Sequence, residues 1–232
     1  MRQLPFDIEE DREDCPAVGL VVLQTDETME HELRHWLPAN TRLFHTRIPN
    51  RIDINHDSLQ AMKQALPESV ALLPASTDFK VIAYGCTSAA TVIGEQAVTD
   101  AVRSVFPGVA VTNPLSAIKA RLVHLNAHRI ALLTPYVPQV SQSMVDALES
   151  SGFNVVSVAS FHEEHDDRVA RIAQHSLLNA MTTLAGEGPV DAIVAACTNL
   201  RTRGLTERAS EQLGIPVISS NAALSWHIQS LL

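Results

Sequence analysis

A segment of about 110 residues is written twice in this 232-residue chain, and that repeat limits its possible folds more than any other feature. "GLVVLQTDE" at residues 19–27 returns as "RIALLTPYV" at 129–137, an offset of 110. "VIAYGCTSA" at 81–89 returns as "AIVAACTNL" at 192–200, an offset of 111. "GVAVTNPLSA" at 108–117 resembles "GIPVISSNAA" at 214–223. A period this long is too large for a solenoid unit and fits two similar lobes, each with its own small core.

Within each copy, short β-branched runs alternate with longer amphipathic stretches. The expected strands are 18–24, 41–48, 79–85 and 109–112 in the first half, and 129–134, 153–160, 191–197 and 216–220 in the second. Helical patterns fall between them, including single helices over 89–105 and 168–184. Strands alternating with helices imply βαβ units, a parallel sheet and right-handed crossovers. Uniformly apolar runs such as "AIVAA" fit burial on both sheet faces. The expected fold is therefore α/β, with two similar four-stranded parallel lobes related by a pseudo-twofold axis and an active site between them. Lobe one takes residues 1–112 plus a returning final helix, 219–232, with 1–17 as a flexible arm; lobe two takes 113–218.

Charge and cysteine usage narrow the function. A net charge of −9 argues against nucleic acid, whose binding leans on Lys and Arg. No apolar run approaches the roughly 18 residues of a membrane helix. The first residues, "MRQLPFDIEEDREDCPA", lack the apolar centre of a signal peptide. Three scattered cysteines suit neither a disulfide framework nor a zinc knuckle, so a reducing, cytoplasmic setting is expected.

Two of those cysteines occupy matched positions in the repeat. Cys86 and Cys197 each end a buried strand and precede Thr87-Ser88 or Thr198-Asn199, good helix-capping residues. Ligands in open α/β sheets bind beyond the carboxyl ends of the strands, where a helix N-terminus favours anions and thiolates. Two lobes facing each other would place the thiols on opposite sides of one cleft. One could then act as thiolate base or nucleophile and the other as acid, with no metal or organic cofactor. The competing reading is that each is a small buried hydrophobe. Its weight falls because both carry the same context, which Cys15 lacks; Cys15 is expected at the surface.

These motifs resemble the aspartate/glutamate racemase superfamily. "LVVLQTDETMEHEL", "AYGCTSAATVIGE", "TNPLSAIKARL", "RIALLTPYV" and "ACTNL" are most similar to its maleate cis-trans isomerase and arylmalonate decarboxylase branch, and "LQTDETME" to the ectoine-utilisation protein A group. The resemblance spans residues 18–231. It implies a cofactor-independent isomerase or racemase acting at a carbon next to a carboxylate, on a small carboxylate-bearing substrate, in a homo-oligomer. Cys86 then takes the position of the thiolate that adds to the double bond, and Cys197 that of the thiol that handles the proton. Tyr136 takes the position of a tyrosine that binds a substrate carboxylate, with Gln24, Thr25 and Asp26 as its lobe-one counterpart. Thr87, Ser88, Thr198 and Asn199 flank the thiols. The decarboxylase keeps only the second cysteine, so Cys86 weighs against that activity.

The chain departs from the isomerases at Asp26, and at Asp166 in a more loosely matched loop, where they carry asparagine. An amide can donate to a substrate carboxylate; a carboxylate accepts from an ammonium or amide instead. This points to an amino-acid-like substrate, such as an ectoine-derived N-acetylated diaminobutyrate, with maleate and arylmalonate-type decarboxylation as alternatives. The ordinary reading of Asp26 is an N-cap for the following helix. Outside enzymes altogether, a catalytically silent ligand-binding scaffold remains the competing class.

Other candidates carry less. "FHEEHDDR" (161–168) lacks zinc-site spacing and reads as a solvated loop with Asp166 or Asp167 as cap. Ser116 and Lys119 could face the cleft or sit on an ordinary helix surface. Trp36 and Trp226 fall on apolar helical faces. Neither a GxGxxG nor a Walker loop is present, so no nucleotide is expected.

Overall fold

The computed structural model describes residues 1–8 and 14–232. Among the described residues eight strands are formed: β1 (Ala17–Leu23), β2 (Arg42–Ile48), β3 (Phe79–Gly85), β4 (Ala110–Thr112), β5 (Arg129–Thr134), β6 (Asn154–Ser160), β7 (Ala192–Ala195) and β8 (Val217–Ser219). They make two separate four-stranded sheets in the orders β2-β1-β3-β4 and β6-β5-β7-β8, with every pairing parallel. The two orders are the same when the second half is counted from β5. The inner strands are the apolar ones: all seven residues of β1 and all four of β7 are buried. Edge strand β6 alternates, leaving Val156 and Val158 exposed.

The helices are α1 (Met29–Trp36), α2 (His56–Val70), α3 (Thr87–Ile93), α4 (Glu95–Arg103), α5 (Pro114–His124), α6 (Pro138–Glu149), α7 (Asp166–Val169), α8 (Gln174–Gly186), α9 (Leu205–Leu213) and α10 (Ser220–Ser230). Two of them correct the sequence expectation. The helix expected over 89–105 is two, because Gly94 takes φ +91° between α3 and α4, a backbone conformation that glycine alone adopts freely. The helix expected over 168–184 is also divided. Short α7 is held at the cleft by Asp166 N–H, which donates to Ile52 O, and by Asn199 Nδ2, which donates to Asp166 O. The chain then extends at Ala173 before α8 begins against the second sheet.

Helix α10 packs against α1, α5, β3 and β4. Helix α5, just past the expected lobe boundary, packs against α3 and α10. Of the segment expected as an arm, residues 9–13 lie outside the described residues. Pro16 O accepts from Arg42 N–H and Ala17 already opens β1, so the arm gives way to the sheet before residue 17. Cys15 is half-buried at this junction. Among the described residues no helix is long and apolar enough to cross a membrane.

Candidate active site

Strand β3 ends in Gly85, and the next residue caps the helix that follows. Cys86 is the N-cap of α3, its Sγ accepting the Ala89 N–H at 3.3 Å and lying 3.6 Å from Ser88 Oγ. Gly85 has no room for a Cβ, which would overlap Met29 Sδ and lie 3.0 Å from Val21 O; α1 therefore packs directly beneath the cysteine. The second cysteine departs from the expected symmetry. Strand β7 stops at Ala195, residues 196–204 form turns, and α9 begins only at Leu205. Cys197 Sγ accepts one local N–H, from Asn199 at 3.4 Å, and has no helix start beneath it.

Both thiols, with Ser88, Tyr136, Asp166 and Thr198, line one buried pocket enclosing about 20 Å³. Tyr136 lines the same pocket, where its hydroxyl and the Cys197 thiol interact. The cover comes from residues the sequence did not single out: Asn50, Arg51, Asp53 and Ile54 after β2, then Leu59 and Met62 on α2. Asn50 to Ile54 follow a strand end, and that rule could have marked them. The cover is tied to lobe two. Ile54 N–H donates to Glu164 O, Asp53 and His165 form an antiparallel bridge, and their side chains pair at 3.3 Å. Thus the 161–168 loop serves as the far side of the cover. Its Asp166 is a buried helix residue and His165 occupies the cap position, contrary to the expected cap at Asp166 or Asp167.

The remaining predicted residues are distributed unevenly. Thr25 Oγ1 donates to Asp166 Oδ2 and accepts from Asn50 Nδ2 at 2.8 Å, joining the two lobes. Asp26 is buried; its Oδ1 accepts the N–H groups of Thr28 and Met29 at 2.9 and 2.8 Å, so it bonds the first N–H of α1, but the N-cap position expected for it belongs to Thr28. Its Oδ2 is buried without a partner. Thr198 Oγ1 faces Gly85 O at 3.4 Å across the lobes, and Asn199 Oδ1 accepts the Glu27 N–H at 2.9 Å. Two residues turn elsewhere: Thr87 Oγ1 lies 2.8 Å from Ser220 Oγ, and the Gln24 side chain is exposed. Neither lines the pocket, and Thr25, Asp26 and Asn199 also stand behind its lining rather than in it. Ser116 and Lys119 bond Glu95 rather than facing the cleft. Trp226 lies under the Arg121 guanidinium and beside His124, and Trp36 is also half-buried. Among the described residues no group of three or more His, Cys, Asp or Glu is placed to hold a metal ion.

Electrostatics correct one expectation directly. The helix end was expected to favour thiolate at Cys86, but burial pushes its thiol up to about 12, against the opposing bonds from Ser88 and Ala89. Burial pushes the Cys197 thiol up as well, with the Asp166 charge adding to it. Desolvation costs more than one helix end returns. The same burial raises Asp26 to about 7 and raises Asp166, while two backbone N–H groups pull Asp26 back down.

Two lobes of the same parallel topology, each giving one buried cysteine to a shared pocket, define a protein of the two-lobed α/β class with a candidate active site between its halves. The sequence profile of the arylmalonate decarboxylase family matches residues 81–232, and the chain belongs to that family. The maleate isomerase of Nocardia farcinica is 29% identical over 224 residues, covering 91% of this chain and 88% of that one. The Alcaligenes faecalis maleate isomerase is 24% identical, covering 93% and 89%. Among solved structures, a cysteine-to-serine mutant of the Nocardia farcinica maleate cis-trans isomerase, with a covalently bound succinylcysteine intermediate, superposes with a TM-score of 0.80 at 25% identity over 93% of this chain and 92% of that one. A liganded double mutant of arylmalonate decarboxylase reaches 0.84 at 20% identity, with the same coverage. The fold and superfamily branch expected from the sequence are those found. The expected enzyme class, an isomerase, is the class these relatives carry.

Proposed function

We propose that the chain is a two-cysteine isomerase acting at a carbon next to a carboxylate, and that a maleate-like cis-enedioic acid is its substrate. The observation that carries this reading is the meeting of Cys86, Cys197 and Tyr136 in one pocket built from both lobes. Cys86, as thiolate, adds through Sγ to one carbon of the double bond while Cys197 gives its proton to the neighbouring carbon. A thioether and a Cys197 thiolate result, the former double bond turns as a single bond, and the reverse step expels the trans product and restores both groups. Tyr136 supplies a hydroxyl donor for a substrate carboxylate. Because burial holds both cysteines as thiols, Cys86 first releases one proton to solvent, which makes thiolate formation part of the barrier.

A second reading keeps the two-thiol chemistry but takes an amino-acid-like, ectoine-derived substrate, with proton transfer at Cα. It is favoured by Asp26, whose buried Oδ2 is unpartnered, and by Asp166 beside it. Either carboxylate would accept from an ammonium or amide. Both readings take the protein as a cytoplasmic homo-oligomer divided into lobes at 1–112 plus 219–232 and 113–218, a division supported by the packing of α10 on α1, β3 and β4.

Proton NMR in deuterium oxide with maleate, free amino acids and N-acetyl diaminobutyrates tests both. Fumarate formation abolished in Cys86→Ser and Cys197→Ser supports the first reading. Deuterium entry at Cα supports the second, and in that case Asp26→Asn must shift preference away from amino-acid-like substrates. No conversion and no exchange across the panel overturns both and leaves the silent binding scaffold.

A further inference from the structure

A carboxylate outside the pocket holds the Cys197 segment in place. Glu32, on α1 of the first lobe, is 2% exposed and accepts four hydrogen bonds, all from the other half of the chain. Oε1 accepts the backbone N–H of Thr202 at 2.7 Å and of Arg203 at 2.8 Å. Oε2 accepts Thr202 Oγ1 at 3.0 Å and Asn221 Nδ2 at 2.9 Å. Asn221 Nδ2 also donates to Thr198 O at 2.8 Å, next to Cys197. One turn earlier on the same helix, Thr28 Oγ1 donates to Asn199 O at 3.0 Å.

The arrangement answers a local deficiency. Cys86 is held by the helix it caps, whereas residues 196–204 contain no helix to fix Cys197. The backbone N–H groups of Thr202 and Arg203 lack the partners a regular helix would have given them, and such groups are costly when buried unpaired. A buried carboxylate with four donors satisfies them and, through Asn221, reaches the carbonyl adjoining the thiol.

We infer that Glu32 is a positioning residue for Cys197: its carboxylate, buried between α1, the 198–203 turns and α10, fixes where the second-lobe thiol sits. This rests on the proposed two-thiol chemistry for its effect on turnover, but not for its effect on the thiol itself.

Glu32→Gln keeps the side-chain shape while replacing one acceptor oxygen with a donor that faces Thr202 Oγ1 or Asn221 Nδ2. In the full-length protein, iodoacetamide alkylation of each cysteine is followed separately by peptide mass spectrometry, beside kcat, KM and thermal melting. Cys197 is expected to alkylate about tenfold faster with Cys86 within about twofold of its original rate, and kcat to fall about tenfold with KM nearly unchanged. Lower melting with both thiol rates and kcat unchanged means that Glu32 serves stability alone and overturns the inference. If Glu32→Gln does not fold, Thr202→Val removes one bond to Glu32 together with the Oγ1 contact to Ser219 Oγ, and leaves the other three bonds to the carboxylate. A smaller shift confined to Cys197 supports the inference, and equal shifts at both thiols overturn it. Full turnover in Cys197→Ser would refute the two-thiol chemistry, while the alkylation rates would still decide the role of Glu32.

Discussion

His165 Nδ1 lies 3.3 Å from Asp53 Oδ1, and the backbones of the same two residues form an antiparallel bridge that ties pocket-lining Asp53 to lobe two. Both side chains are largely exposed, so the ion pair itself adds little stability; pairs of this kind contribute about 0–1 kcal/mol. Its effect is on access. His165→Ala should change unfolding free energy by less than about 1 kcal/mol. It should nevertheless raise the alkylation rates of Cys86 and Cys197 together, because the cover over both thiols loses a tie to lobe two. Equal rates in the variant and the parent protein would show that the backbone bridge alone holds the cover.

The buried thiols give a clear pH signature. With Cys86 pushed up to about 12, its thiolate fraction should increase roughly tenfold per pH unit throughout the range from 7 to 10. Iodoacetamide kinetics resolved at Cys86 should therefore climb without a plateau. A plateau below pH 8 would mean that the helix end outweighs desolvation after all.

Asp26 should make stability depend on pH in the direction opposite to an ordinary paired carboxylate. Its folded-state value, about 7, lies above the ordinary aspartate value of 3.8, so between these limits the folded state binds more protons than the unfolded one. Unfolding free energy should fall as pH rises from about 4 to 7, by no more than about 4 kcal/mol for this group. Asp166, also raised, acts in the same direction, whereas the Arg47 guanidinium near Asp26 opposes the rise. Asp26→Asn should flatten the curve and be more stable than the parent at pH 8 in urea unfolding, with Asp166→Asn as the comparison. An unchanged slope in Asp26→Asn would assign the effect elsewhere.

Gly85→Ala should be costly although glycine ordinarily weakens a strand interior. The new Cβ would overlap Met29 Sδ and crowd Val21 O, and overpacking of a filled core typically costs about 1–3 kcal/mol. Since Gly85 immediately precedes Cys86, turnover should fall along with stability. Denaturant unfolding and steady-state kinetics on the same preparation would check both; a loss below about 0.5 kcal/mol would mean that Met29 yields freely.

The sequence made some of this visible because repeated local patterns carry it. All eight strands fall within two residues of their expected ends, as uniformly apolar runs between helical stretches allow. The breaks at Gly94 and Ala173 were missed: amphipathic spacing continues through both, and only the three-dimensional path forces the turn. The thiol setting was half legible. Strand ends placed Cys86 and Cys197 at one pocket, but the local motif carried no information on how far burial would raise them. Glu32 had no sequence signal, since its partners lie some 170 to 190 residues away and a glutamate in "MEHEL" reads as solvated helix surface.

The clamp of α1 on residues 198–203 also bears on how the two halves can change over time. A duplicated chain begins with interchangeable copies, each able to supply what the other does. Here one copy orders its cysteine with its own helix, and the other borrows a carboxylate from its neighbour. Sequence drift at position 32 is thereby chained to positions 202, 203 and 221, and replacing the first half by a copy of the second would remove the carboxylate that those positions bond.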